Sequence, residues 1–346
     1  TNRNAISILD CNHILIENNY FINYTNASMP GAIDIEPNAP VSGSSNEILK
    51  DIVISSNYFY NIGGLGCCGV TLPPNAFTVS PFGIYFLNNY LENVPIGFYF
   101  KYEYIPAEGI DTKLKIPLFI ENNIIKNASV NGFALYGACQ AKVSGNYINS
   151  TSQSLIGYTN VLQTSCDINV SDNYFDKCGS TQGNGLVLYN CKRVELNFNT
   201  FNDCGTGTAG ASNAIGFNSG SSDFIQLSQN IFLAPTGKTL VGIVKEAAHT
   251  FTNTRNNRFF NNQLNGLVSG FQYINDNNFG LATGIAPAAS VTIAHHLGSV
   301  PKWATVQPQS SNVPGIKNVT VDSTNITIVF TATPVGTVSL WWSVQA

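Results

Sequence analysis

A short motif returns ten times along the chain: Asn, any residue, then a bulky apolar residue. It reads Asn19-Tyr20-Phe21, Asn57-Tyr58-Phe59, Asn89-Tyr90-Leu91, Asn123-Ile124-Ile125, Asn146-Tyr147-Ile148, Asn173-Tyr174-Phe175, Asn199-Thr200-Phe201, Asn230-Ile231-Phe232 and Asn257-Arg258-Phe259, and ends shortened as Asn278-Phe279. Such a repeat means stacked structural units, because one unit cannot bury its own apolar face and a stack can. The residues before each Asn alternate, as in Ile14-Leu15-Ile16, Ile52-Val53-Ile54 and Val194-Glu195-Leu196. Alternation puts one face of a strand inward and the other outward. Asn tolerates left-handed backbone angles and bonds locally, so it suits the turn. Stacked Asn side chains can also form a ladder between coils. The pattern predicts an all-β protein whose body is a right-handed, single-stranded parallel β-helix of about ten coils.

The spacing of the motif divides the chain. The first three intervals are 38, 32 and 34 residues, and later ones run mostly from 21 to 27 with one of 31. The early coils therefore carry insertions, near Asn26–Asn46, Gly63–Pro81 and Tyr102–Ile116. Solenoid insertions gather on one side and often form the binding face. The repeat stops near Phe279, which assigns the β-helix to residues 1–280. A Pro/Gly/Ala-rich linker is expected at 281–289 and a small, sandwich-like antiparallel β-domain at 290–346. Its expected strands are Val291–Ala294, Trp303–Val306, Asn318–Val321, Ile326–Thr331 and Val338–Val344. About 57 residues make a thin core, so Trp341 and Trp342 are expected to bury against another subunit or the helix end. The domain could cap one end of the solenoid and join subunits.

Composition narrows the partners. The 346 residues are 44% hydrophobic and only 10% charged, with a net charge of −4. No basic block offers the footprint that nucleic acid requires, and no run of 18 apolar residues offers a membrane span. Thr1–Ala5 has no signal-peptide pattern. Eight Cys are present. Cys166 and Cys191, and Cys178 and Cys204, are one coil apart and should stack, either as buried thiols or as inter-coil disulfides. Cys67-Cys68 is expected in a loop.

These coils resemble the pectate-lyase-like β-helix proteins, above all viral tailspikes and tail-fibre proteins. Two segments carry the resemblance further. Gly31-Ala32-Ile33-Asp34-Ile35-Glu36-Pro37-Asn38 is similar to an element recurring in phage and bacterial β-helix proteins, with Ala32 inserted after the first Gly. His296-Leu297-Gly298, Pro301, Asp322-Ser323-Thr324-Asn325-Ile326-Thr327 and Gly336-Thr337-Val338 are similar to small C-terminal domains of phage tail proteins. The resemblance implies a homotrimeric virion protein, working outside the cell beside other tail proteins. Its partner would be host surface polysaccharide, which it binds and in many relatives cleaves.

The residues suggest where that chemistry would sit. Asp34 and Glu36 lie two apart on one strand face, with Cβ atoms about 6–7 Å apart. That suits glycoside hydrolysis by two carboxylates and leans toward the inverting geometry. Val70-Thr71-Leu72-Pro73 repeats the segment with Thr71 and Pro73 in place of the acids, so the coil does not itself require them. The same strand on later coils carries Tyr99 and Lys101, then Tyr136, then Tyr189. Together with Glu103 from the adjoining insertion these are the candidate substrate-binding residues. Aromatic rings beside carboxylates suit sugars, although surface Tyr also simply suits strands. No metal site is expected from Cys or His spacing, and no cofactor, although Asp34 and Glu36 could hold calcium. A lyase is disfavoured, because none of the four Arg lies in the inserted region and only Lys101 could serve as base. Three readings remain: a receptor-binding protein that recognises host polysaccharide with or without hydrolysing it, a non-catalytic adhesin or structural virion appendage, and a secreted pectinase-like lyase or hydrolase.

Overall fold

The computed structural model describes residues 4–25, 31–37, 49–64, 66–72, 83–102, 116–150, 161–179, 184–204, 214–217, 220–233, 240–241, 243–245, 249–251, 258–260, 263–265, 268–269, 279–294, 300–301, 303–308 and 312–345. Every regular element among them is a strand. Three long parallel sheets run the length of the body. Sheet A contains Ile6–Ile8, Ile33–Ile35, Cys68–Leu72, Ile96–Tyr102, Asn131–Tyr136, Val161–Gln163, Leu186–Tyr189, Ile215–Phe217 and Ile243–Lys245. Sheet B begins with Cys11–Glu17 and Leu49–Ser55 and continues through Cys139–Ser144, Cys166–Ser171, Lys192–Asn197 and Gly220–Ser228. Sheet C runs from Tyr20–Ile22 to Gln263–Asn265 and holds the strands that follow the first eight repeat Asn residues; the ninth motif, at Asn257, instead opens Arg258–Phe260 of sheet B, and the tenth lies at Phe279 in an antiparallel pair. Each coil contributes one strand to each sheet in turn, so the parallel β-helix read from the repeat is the architecture observed. The three insertions lie largely outside the described residues, as does Glu103.

Inward residues stack in columns down the solenoid. In sheet A one column is Ile8, Ile35, Val70, Phe100, Leu135, Leu162, Leu188 and Phe217. In sheet C the apolar residues of the first eight motifs, from Phe21 to Phe232, point inward. Phe21 stacks on Phe59 with centroids 4.8 Å apart, and Phe175 on Phe201 at 4.7 Å. Burial of these side chains supplies the main driving force, at about 1.5–3 kcal/mol each.

The repeat Asn residues form a continuous ladder. From Asn57 to Asn199 each Nδ2 donates to Oδ1 of the next Asn at 2.9–3.1 Å and to a strand carbonyl of the coil before. Each backbone N–H donates to that same Oδ1. The left-handed turn position, however, is not the Asn itself. It is the residue before it: Asn18, Ser56, Asn88, Asn122, Gly145, Asp172, Phe198 and Gln229, with φ between 55° and 66°. The ladder Asn is selected for its amide, and its predecessor for the backbone angle.

The cysteines correct two expectations. Cys166 pairs in register with Cys139 on one side and Lys192 on the other, so Cys191 is offset by one residue. Spacing alone mistook the coil length by one residue at that step. Cys178 and Cys204 do neighbour each other, and both donate to strand carbonyls at 3.3 Å. Cys67 and Cys68 are not in a loop: Cys68 opens the strand Cys68–Leu72 and both are fully buried. All eight are free thiols, seven of them buried. Burial pushes the Cys191 thiol up to about 12 and Cys67 and Cys204 well above the usual thiol range. Alkylation of the native protein at pH 8 is expected to label Cys11 at most, and all eight after denaturation. Labelling of several cysteines in native protein would contradict this packing.

The C-terminal residues form two three-stranded antiparallel sheets. Strand Val338–Gln345 lies between Phe279–Ile285 and Trp303–Pro308, and Asn325–Phe330 between Ser290–Ala294 and Ile316–Val321. The expected linker is therefore partly structured, since Phe279–Ile285 is an edge strand paired to Val338–Gln345. Its small residues suit an edge strand as well as a linker. Trp342 is buried in this unit's own core with Ile326, Ile328, Phe330, Leu340 and Val344, and needs no second subunit to cover it.

Candidate functional site

The outer face of sheet A carries the candidates, in an order that the strand register sets. One column runs Ser7, Asp34, Gly69, Tyr99, Ala134, Val161 and Val187. A second runs Thr71, Lys101, Tyr136, Gln163 and Tyr189. Glu36 follows Ile35, the partner of Val70, and so falls opposite Thr71 at the head of the second column. The expected alignment of Asp34 with Thr71 is thus corrected by two residues. A shift of two preserves the inward and outward alternation, so the hydrophobic pattern is blind to it. Packing decides it, by setting Cys68 and Val70 above Ile33 and Ile35.

Tyr99, Lys101 and Tyr136 meet, as expected. With Tyr102, Gly137, Gln163 and Thr164 they line an open hollow of about 280 Å³. The rings of Tyr99 and Tyr136 are 5.7 Å apart and tilted by 51°. Their faces are therefore not closed against each other. Tyr189 stands one coil past Gln163 in the same column. Gln163 and Thr164 were not singled out from sequence. Gln163 lies 27 residues after Tyr136, and that coil period is the signal that would have found it. Thr164 takes a left-handed φ of 49°, directly below Gly137 at 73° in the preceding coil.

Asp34 and Glu36 differ sharply. Glu36 is exposed, and its backbone N–H donates to the Ile8 carbonyl at 3.1 Å. Asp34 belongs to the outward column yet is only 5% exposed, contrary to the expectation of two solvent-facing acids. Asn4, not singled out from sequence, donates from Nδ2 to Asp34 Oδ2 at 3.0 Å and to Ser7 Oγ at 3.3 Å. Asp34 Oδ1 and Asn4 Oδ1 are buried without a partner. Burial raises the Asp34 carboxyl to about 6, the Glu36 charge adds to this, and the Asn4 hydrogen bond opposes it. One acid is thus held neutral more readily than an ordinary Asp, beside another in water. Two coils separate Asp34 from Tyr99, roughly 10 Å at the usual strand spacing. Gly69 between them contributes no side chain.

Among the described residues no group of three or more His, Cys, Asp and Glu gathers as metal ligands.

No family model matches the chain, and no curated protein matches it. Several solved structures do. The tailspike gp61 of Pseudomonas phage phi297 is 12% identical, with 80% of this chain and 66% of that one covered, at a TM-score of 0.21. The chain thus spans just under two thirds of that protein. The tailspike gp49 of Acinetobacter baumannii bacteriophage Fri1, a capsular polysaccharide depolymerase, is 10% identical over 96% of this chain and 79% of that one, with a TM-score of 0.24. The gp54 tailspike of A. baumannii bacteriophage AP22, solved with A. baumannii capsular saccharide, is 12% identical over 90% and 67%, with a TM-score of 0.23.

Proposed function

We propose that the chain is the receptor-binding part of a viral tailspike, and that the outer face of sheet A recognises and hydrolyses host surface polysaccharide. The observation that carries the proposal is one sheet face holding both a Tyr99, Lys101, Tyr136 and Gln163 hollow and an acid pair split by environment. Sugar rings would stack on the tyrosines while hydroxyls bond to Lys101 and Gln163. Asp34, in its protonated form, would give its proton to the leaving glycosidic oxygen. Glu36 would draw a proton from the attacking water on the other side of the bond. Tyr189 and, from the adjoining insertion, Glu103 would extend contact along the polysaccharide. In this reading the protein works outside the cell on the virion, as a homotrimer next to other tail proteins.

A second reading, a receptor-binding protein that does not cleave, is favoured by the same Asp34. At 5% exposure, with one oxygen held by Asn4, its carboxyl has limited reach to a substrate. Release of reducing ends from purified host capsule or O-chain decides between them. Release by wild type that is lost in Asp34→Asn and Glu36→Gln supports hydrolysis at this pair. Binding without release supports the second reading, and absence of both removes the proposal.

A further inference from the structure

Sheet B carries a different site on its own outer face. Its strands share a position with left-handed backbone angles: His13, Asp51, Gln140, Asp167, Arg193 and Phe224, with φ from 49° to 75°. Five of these are polar. Their side chains bond along the column where they can, as in the His13–Asp51 pair at 2.8 Å and the Arg193–Asp167 pair, whose Nη2–Oδ2 contact is 3.1 Å. Phe224 breaks the pattern. A bulky side chain is poorly suited to left-handed angles, and this one is also 44% exposed. Neither backbone preference nor core burial accounts for it. The neighbouring strand Lys192–Asn197 is followed by a second such residue, Phe198, at φ 58° and 53% exposed.

Phe224 borders a hollow of about 580 Å³ with Asp167, Asn169, Arg193, Glu195 and Gln226, larger than the sheet A hollow. Asn169 donates to Glu195 Oε2 at 3.2 Å. The lining thus holds an apolar ring, two amides, a guanidinium and two carboxylates. An anionic ligand would face both carboxylates. A purely apolar one would strip water from five polar side chains at a loss. A pyranose fits: one apolar face for a ring, and hydroxyls that both donate and accept. We infer that this hollow is a second, non-catalytic binding site for an uncharged sugar unit of a glycan chain, with Phe224 as its stacking platform. The strained, exposed aromatic is explained as a binding device, since strain that folding does not require collects at functional positions. The site stands apart from the sheet A face and goes beyond the function proposed for it.

The test uses wild type, Phe224→Asn and Tyr136→Ala on a printed panel of bacterial capsular and O-chain polysaccharides. Asn favours left-handed angles, so Phe224→Asn should melt at or above the wild-type temperature. Its affinity for polysaccharides with uncharged repeat units should nonetheless fall at least tenfold. Wild-type affinity in Phe224→Asn, or no binding of any panel member by wild type, would overturn the inference. If Phe224→Asn weakens binding and Tyr136→Ala does not, the sheet B site stands and the sheet A reading falls. The reverse result removes the sheet B site alone.

Discussion

Asn123→Ala is expected to destabilise the protein by about 3–5 kcal/mol, among the largest effects of any single substitution here. Asn123 is fully buried and sits mid-ladder. Its Nδ2 donates to the Phe86 carbonyl at 2.8 Å and to Asn146 Oδ1 at 3.0 Å. Its Oδ1 accepts from the backbone and side-chain nitrogens of Asn89 at 2.9 and 3.1 Å. Truncation leaves the buried Asn89 N–H and one Asn89 side-chain hydrogen without acceptors, and opens a void. Each stranded group costs about 1–3 kcal/mol, more than an average hydrogen bond contributes. The substitution at the ladder's exposed end, Asn19→Ala, should cost less than about 1 kcal/mol, because water replaces what is lost. Urea unfolding of both variants, with amide exchange at Asn89, measures this. Equal losses at the two positions would mean that the ladder is not what holds the coils in register.

Asp34→Asn should sharply slow the proposed hydrolysis while raising stability at neutral pH. The sign follows from the raised carboxyl. Its pKa is 3.8 in an ordinary setting and about 6 in the fold, so the folded state holds the proton more tightly. That contribution is complete below about pH 4 and is lost as the pH rises through 6. Above pH 7 wild type carries a buried, half-bonded carboxylate. Removing it should gain about 2–3 kcal/mol at pH 7.5 and nothing at pH 4. Amide protons at position 34 would also offer a donor where Asp34 Oδ1 and Asn4 Oδ1 now have no partner. Loss of a proton donor should lower the rate by about 10²–10⁴. In wild type the rate should fall on the alkaline side with a midpoint near 6, as the acid ionises. Melting curves at the two pH values and a rate profile from pH 4 to 8 test it. Stability unchanged at both pH values would show that Asp34 is not held as the structure has it. A rate that stays flat through pH 6 would assign the proton to another group.

The repeat determined most of the fold by itself. Eight Asn motifs on alternating strands bury their apolar faces as a stack of parallel coils, and the ladder and the Phe columns follow from the same spacing, whereas the ninth motif opens a sheet B strand and the tenth an antiparallel one. The Tyr99, Lys101 and Tyr136 cluster was legible for the same reason, because residues one coil apart meet. What needed the tertiary structure was everything the two-residue alternation cannot distinguish. The pairing of Asp34 with Gly69 differs from the pairing with Thr71 only by a shift of two, which leaves every side chain on its own face. Asp34 is hydrogen-bonded by Asn4, thirty residues earlier, and no local pattern marks that contact. Phe224 is a surface residue in space, because its left-handed backbone breaks the alternation of its strand at that position. Periodicity records which way a side chain points while the strand stays regular. Register, left-handed positions and long-range contacts are set by how the coils pack on one another, and those decided which side chains meet on both faces.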